Sequence, residues 1–247
     1  MKAPLVLNAG GNDPLVYFES GNYYPEGFVS LEWNRTGTLL LAYSLSSRLT
    51  VYNSQTEAFI YDYITGNNPV RLTWIDDDTH ISNGTTLFNI KSNTYDLLRP
   101  NVIPEAWGSC GGTSAIANST DRQELALGTT NGCVIVIDPM SGDHLAFYKA
   151  GGETIRDLDW GRNDLQIATA NENGQVNIIN TQTSGFVTID RNQNELFAID
   201  WDASGTQLAF GGEADTEDTL VSMNSIELHQ IMSGSLVPLE IKITVEP

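Results

Sequence analysis

Four segments of this chain end in tryptophan at one repeating distance: FVSLEW at Trp33, PVRLTW at Trp74, TIRDLDW at Trp160 and LFAIDW at Trp201. Each alternates apolar and polar residues up to its tryptophan, the pattern of a strand with one buried face. Trp33 and Trp74 are 41 residues apart, and so are Trp160 and Trp201. The 86 residues between Trp74 and Trp160 are about twice that period. Sliding the Trp160 copy back by 42 residues finds the missing one without a gap, with Asn118 in the tryptophan position. A second column keeps the same frame, since Leu40, Ile81, Leu125, Ile167 and Leu208 each stand seven residues after a marker. Trp107 is off this register and belongs to the loop before the third copy.

A period of about 40 to 45 residues is the length of one four-stranded propeller blade. The seven-residue column opens second strands such as LLAY, LALG, IATA and LAFG. Asn-Gly pairs at Asn131 and Asn173 then turn the chain into the third strands CVIVID and QVNIIN, because both residues tolerate positive φ. Short polar turns lead on to fourth strands such as EAFIYDY and HLAFYKA.

This order, with N-x-x-G-T-L-L-L-A after Trp33, D-x-S-G-T-Q-L-A-F-G-G after Trp201 and x-Q-T-x-G after a third strand, resembles the WD40-repeat β-propeller family over nearly the whole chain. In the sequence of its blades the chain is also similar to transducin-β-like corepressor subunits. The resemblance implies an all-β propeller acting as a platform for assemblies. Gly-His is missing at the blade starts, and the third strands end in Tyr52-Asn53, Ile137-Asp138 and Ile179-Asn180 where the family has Trp-Asp. The family's Asp-His-Ser/Thr-Trp bonding network is therefore not expected, and apolar packing must hold the blades.

The expected architecture is five complete four-stranded blades, at approximately 28–65, 69–105, 113–150, 154–190 and 196–243, within a single domain. Residues 4–20 read as two further strands around a Gly-Asn-Asp-Pro turn, a partial sixth blade at the N-terminus. Three arrangements suit that count: a ring in which the tail KITVEP helps complete the partial blade, a propeller closed by a strand from a partner, or one part of a longer chain. Unpaired sheet edges recruit other strands, so the seam has to be covered by something.

Charge narrows the partners. Against 12 Lys and Arg stand 31 Asp and Glu, a formal net charge of -19. Phosphate backbones are bound through clustered Lys and Arg, and no such cluster exists, so direct nucleic-acid binding is not expected. Proteins with basic surfaces are the natural complement. No apolar run is long enough for a membrane span and no secretion signal opens the sequence, so a cytoplasmic or nuclear location is expected.

Candidate chemistry is sparse. His80, His144 and His229 have no metal-ligand spacing. Cys110 and Cys133 are too few for a disulfide framework and read as buried small hydrophobes, with EAWGSCGG around Cys110 read as a flexible loop. Triplets beginning at Asn34, Asn83 and Asn118 match the glycosylation pattern and are read as chance. Asp157 and Asp159 fall on one face of a strand, with Asp200 and Asp202 one repeat later; paired carboxylates can serve hydrolysis but also cap turns. No catalytic residue, cofactor or metal is assigned. The expected function is a protein–protein interaction scaffold, with Tyr23, Tyr24, Asp77, Trp107, Glu213, Asp215, Glu217 and Asp218 as partner-binding residues. The alternative is a propeller enzyme or small-ligand receptor using the central channel.

Overall fold

The computed structural model describes residues 28–44, 47–64, 71–76, 78–98, 108–190, 195–212, 225–232 and 235–239. Apart from a 3-10 turn at Gly108 and Ser109, every regular element among them is a strand. The first sheet is β1 (Phe28–Trp33), β2 (Leu39–Ser44), β3 (Arg48–Asn53) and β4 (Ala58–Ile64). The second is β5 (Thr73–Trp74), β6 (His80–Ser82), β7 (Thr86–Asn89) and β8 (Thr94–Leu97). The third is β9 (Thr113–Asn118), β10 (Leu125–Thr129), β11 (Cys133–Ile137) and β12 (His144–Lys149). The fourth is β13 (Ile155–Trp160), β14 (Gln166–Asn171), β15 (Gln175–Asn180) and β16 (Phe186–Asp190). The fifth is β17 (Leu196–Trp201), β18 (Gln207–Gly212), β19 (Ser225–Met232) and β20 (Ser235–Leu239). In every sheet the strands lie side by side in chain order.

The two sequence columns meet across the first ladder of each regular sheet. Trp33 faces Leu40, Asn118 faces Leu125, Trp160 faces Ile167 and Trp201 faces Leu208 as direct antiparallel partners. A separation of seven residues is what a short turn between two such partners requires, and a slip of one residue would turn the apolar set to the wrong face.

The expectation of five complete blades needs correction. Four sheets are built from strands of five to eight residues. The one after Trp74 keeps the order but shrinks to strands of two, three, four and four residues. Its sequence explains the loss. IDDDTH and ISNGTT bring turn-forming residues close together, leaving little chain for ladders. The partial blade at 4–20 lies outside the described residues.

The chain divides into two compact units, residues 1–81 with 88–95, and residues 82–87 with 96–247. In the first unit one core joins Leu41, Val51 and Tyr61 to Trp74, Ile81 and Phe88. The Trp74 indole Nε1 donates to the Glu32 carbonyl at 3.2 Å. In the second unit one core joins Ala126, Val136 and Tyr148 to Leu158 and Trp160, and another joins Ala170 and Ile178 to Ile199, Trp201 and Phe210. Trp160 Nε1 donates to the Ala117 carbonyl at 3.1 Å, so Trp74 and Trp160 make the same bond to the residue before the preceding marker. Burying a large side chain of this kind contributes about 1.5 to 3 kcal/mol.

Candidate functional site

At one end of each sheet run the turns between its first and second strands and between its third and fourth. Side-chain oxygens close the first kind. Asn34 Oδ1 accepts from the amides of Thr38 and Leu39, both at 2.9 Å. Asp202 Oδ1 accepts from Thr206 and Gln207 at 2.7 and 2.6 Å, and Ser119 Oγ accepts from Glu124 at 3.0 Å. Bonds from the Ser204 hydroxyl and from the Gln207, Ser204 and Thr206 amides hold the Asp202 carboxyl down at about 2. The second kind repeats four times. Asn53, Asn89, Asp138 and Asn180 each accept through Oδ1 from the amides two and three residues on. The residue two positions after each of those amide pairs begins, at Glu57, Asn93, Gly142 and Ser184, has φ between 56° and 79°.

In the acidic turn of the second sheet, Asp76 Oδ1 accepts from the Thr79 and His80 amides, both at 2.7 Å, and its Oδ2 meets His80 Nδ1 at 2.6 Å. Burial acts against the charge, but the bonds from the His80 side chain and from the two amides together hold the Asp76 carboxyl below its ordinary range. Asp78 Oδ1 accepts from Asn34 Nδ2 at 3.0 Å. Beside it lies an open cavity of about 390 Å³ whose walls include Leu39, Ile60 and Ile90, with Asp78 and Lys91.

The paired carboxylates of β13 reach across to β17. Asp157 Oδ2 accepts from the Ile199 amide at 3.0 Å, and Asp159 Oδ2 from the Trp201 amide at 2.9 Å. Strand alternation puts both on one face, so one strand clips the next sheet at two points. Burial, together with the negative charge of Asp200 and a hydrogen bond to it, pushes the Asp159 carboxyl up to about 7. Asp157, Asp159 and Asp200 thus gather on neighbouring strands rather than scattering into turns, and two of them are engaged with backbone amides. Among the described residues, no group of three or more His, Cys, Asp or Glu is arranged to hold a metal ion.

The outer strands carry exposed apolar side chains. On β4 these are Phe59, Ile60 and Ile64; on β8, Tyr95 and Leu97; on β16, Phe186 and Val187. Tyr63 bridges the first two, with its ring 5.7 Å from Tyr95 and 5.8 Å from Phe88.

No protein-family model matches the sequence, and none of the curated proteins does. Solved structures do. The β-propeller domain of Myceliophteria thermophila Cps50 (Swd1) superposes with a TM-score of 0.67 at 16% identity, covering 89% of this chain and 76% of that one. A chain of the mitotic checkpoint complex gives 0.69 at 13% identity, over 90% and 68%. The C-terminal WD40 domain of Sif2 gives 0.64 at 15%, over 85% of this chain and 56% of that one. The fold is that of a WD40 β-propeller.

Within that propeller, the position where the WD40 grammar places the aspartate of Trp-Asp still has its turn: Asn53, Asp138 and Asn180 cap it locally. Two of the three glycosylation-like asparagines have structural roles, since Asn34 and Asn83 are buried and Asn83 Oδ1 accepts from the Thr85 and Thr86 amides. The two cysteines are buried as expected, but they are paired, which was not expected. Cys110 and Cys133 form a disulfide with Cα atoms 5.6 Å apart, and both are fully buried. The hairpin at Asn131-Gly132 folds back so that the Asn131 amide donates to the Cys110 carbonyl at 3.1 Å and its side chain to the Ser109 carbonyl at 2.8 Å. The loop read as flexible is therefore pinned at Ser109, Cys110 and Gly112, the last accepting from the Thr130 amide at 2.9 Å. Sequence distance also hid a cation: Lys149 pairs with Cys133 across β11 and β12, and its Nζ lies 3.9 Å from Cys133 Sγ. Tyr23, Tyr24, Asp77, Trp107, Glu213, Asp215, Glu217 and Asp218 lie outside the described residues. The exposed apolar groups of the outer strands were not foreseen, although their alternation in EAFIYDY is readable.

Proposed function

We propose that this propeller is a protein–protein interaction scaffold without catalysis of its own, docking proteins along its outer strands and acidic turns. The observation that carries this reading is the exposure of Ile60 and Ile64 on β4 and of Tyr95 on β8, edge strands of two sheets brought together where the Tyr63 and Tyr95 rings meet, since clustered exposed apolar groups mark interaction surfaces. Aromatic anchors of this kind dominate interface energetics. The net charge of -19 favours partners with basic surfaces, steered in by opposite potential. One fold neighbour is a chain of the mitotic checkpoint complex, an assembly by name. The acidic stretch Glu213 to Asp218, with Asp77, Tyr23, Tyr24 and Trp107, would widen the contact surface, and a partner strand could complete a partial blade. A cytoplasmic or nuclear location would hold Cys110 and Cys133 as thiols, because those compartments keep disulfides reduced.

The test is affinity capture with the purified chain against an Ile60→Asp, Tyr95→Asp variant that keeps its melting temperature. Loss of a stoichiometric protein partner supports the reading. Unchanged capture removes the outer strands from it, and no capture by the parent chain removes the scaffold.

A second reading rests on Asp159 and Asp200, neighbouring carboxyls on β13 and β17 of which Asp159 is pushed up to about 7 by burial and by the charge of Asp200, as an enzyme or small-ligand receptor would use. It expects a ligand whose binding is abolished by Asp200→Asn without loss of stability. Ligand binding untouched by that substitution would end it.

A further inference from the structure

The disulfide joins two unlike surroundings. Cys133 opens β11, a strand buried along its whole length, and its amide donates to Thr129 Oγ1 at 3.0 Å. Cys110 lies in the loop 108–112, where Gly108, Ser109, Gly111 and Gly112 are all exposed. Beyond the cysteine that loop has no side chain larger than serine, and a segment so poor in buried apolar contacts opens at low cost. Beside Cys133 stands a cation. Lys149 Nζ lies 3.9 Å from Cys133 Sγ and donates to the Asn131 carbonyl at 3.3 Å, so the ammonium is held at the hairpin tip. β10, β11 and the loop 108–112 contribute no ionisable side chain except the two cysteines. On β12, His144 is at the opposite end from Lys149 and the Tyr148 hydroxyl donates to the Thr181 carbonyl. Arg156 on β13 is engaged by Glu172 at 2.6 Å, and Glu153 is exposed in the segment after β12. A thiolate is favoured beside a positive charge, and the thiol of lower pKa is the better leaving group in exchange.

We infer that Cys110 and Cys133 form a reversible thiol–disulfide exchange site whose co-reactant is a small thiol of the glutathione type, with Lys149 stabilising the Cys133 thiolate. The thiolate of the small molecule attacks Cys110 Sγ, the sulfur flanked by exposed residues. The Cys110–Cys133 bond breaks, its electron pair stays on Cys133 Sγ beside Lys149, and Cys110 is left in a mixed disulfide. A second small thiolate attacks the small-molecule sulfur of that mixed disulfide and releases the Cys110 thiolate. Two small thiols are thereby oxidised to one small disulfide, and the protein disulfide is reduced to two thiols. Oxidation runs the same steps backwards and consumes the small disulfide. In the disulfide form the loop 108–112 is fixed covalently to the hairpin of β10 and β11. In the dithiol form it is held by its hydrogen bonds to Thr130 and Asn131 alone. The site stands apart from the scaffold reading, since nothing in it depends on what the propeller binds.

The experiment mixes the folded, oxidised full chain with reduced and oxidised glutathione at graded ratios, without denaturant, and follows acid-quenched, alkylated samples by mass. Reduction and reoxidation are expected to reach the same distribution from both directions, through a glutathione adduct on Cys110. Lys149→Gln should slow reduction several-fold, and Lys149→Arg should restore the parental rate. In a Cys110→Ser variant, alkylation of Cys133 should titrate below about 8.5, the ordinary thiol value, and adding Lys149→Gln should carry it back up. A bond that glutathione opens only after urea has unfolded the chain would make the disulfide a structural staple and overturn the inference. An adduct on Cys133 in place of Cys110, or a reduction rate and titration indifferent to Lys149, would overturn it as well.

Discussion

Ser184 is exposed and holds φ at 58° in the turn between β15 and β16, a left-handed conformation that costs a residue with a Cβ about 1 to 2 kcal/mol. At the same place in the third sheet stands Gly142, φ 79°. Ser184→Gly should therefore stabilise the protein by about 0.5 to 1 kcal/mol, after the entropy lost by glycine, as read by urea unfolding. Asp159 makes a pH-dependent contribution of a different kind. Its carboxyl titrates at about 7 in the folded chain and at about 3.9 when unfolded. The folded state thus holds the extra proton between those values, and the stability Asp159 contributes is complete below about 4 and lost as pH rises through 7. Relative to the parent, Asp159→Asn should gain more at pH 8 than at pH 5, by on the order of 2 to 3 kcal/mol; equal differences at both would refute the assignment. At this scale the sequence was partly legible. Alternation placed Asp157 and Asp159 on one face, but not the Ile199 and Trp201 amides that each accepts from, which sit 42 residues away. The Asn and Asp caps after the third strands were visible as departures from Trp-Asp, and their bonds explain the residue type.

Among the elements, the hairpin of β10 and β11 and the loop before β9 are joined by a disulfide spanning 23 residues. Closing a loop of that size in the unfolded chain is worth about 3 kcal/mol. Replacing both cysteines by serine should lower stability by that amount, with mass spectrometry under non-reducing conditions confirming the bond in the parent. The pairing was illegible because two cysteines in a chain carry no distance information; only the fold-back at Asn131-Gly132, itself a readable hairpin, brings them together. The curtailed sheet β5 to β8 should exchange its amide hydrogens sooner than the sheet of β13 to β16, since short ladders with few buried contacts open first. Protection equal to that of β13 to β16 would contradict this. Its shortness was hidden by Trp74 and Ile81, which keep the repeat in register while the polar residues between the columns take its ladders away.

For the whole molecule, the 41-residue period carried the fold, because one blade is the only common unit of that length that alternates strands in this way. What it could not carry was completeness, which depends on how much ladder each copy retains. With 31 acidic against 12 basic residues, association with a basic partner should slow steeply as ionic strength rises, the Debye length falling from about 10 Å at 0.1 M salt to 3 Å at 1 M; a salt-independent rate would show that charge does not steer it. Sheet order coincides with chain order in all five sheets, and this has a consequence for biosynthesis. At about 5 to 20 residues per second a ribosome releases one repeat in a few seconds, while a hairpin pairs in about 1 to 10 μs. Each sheet has time to zip up before the next is translated, so Trp74, Trp160 and Trp201, emerging as the newest pieces of chain, find their seats already built.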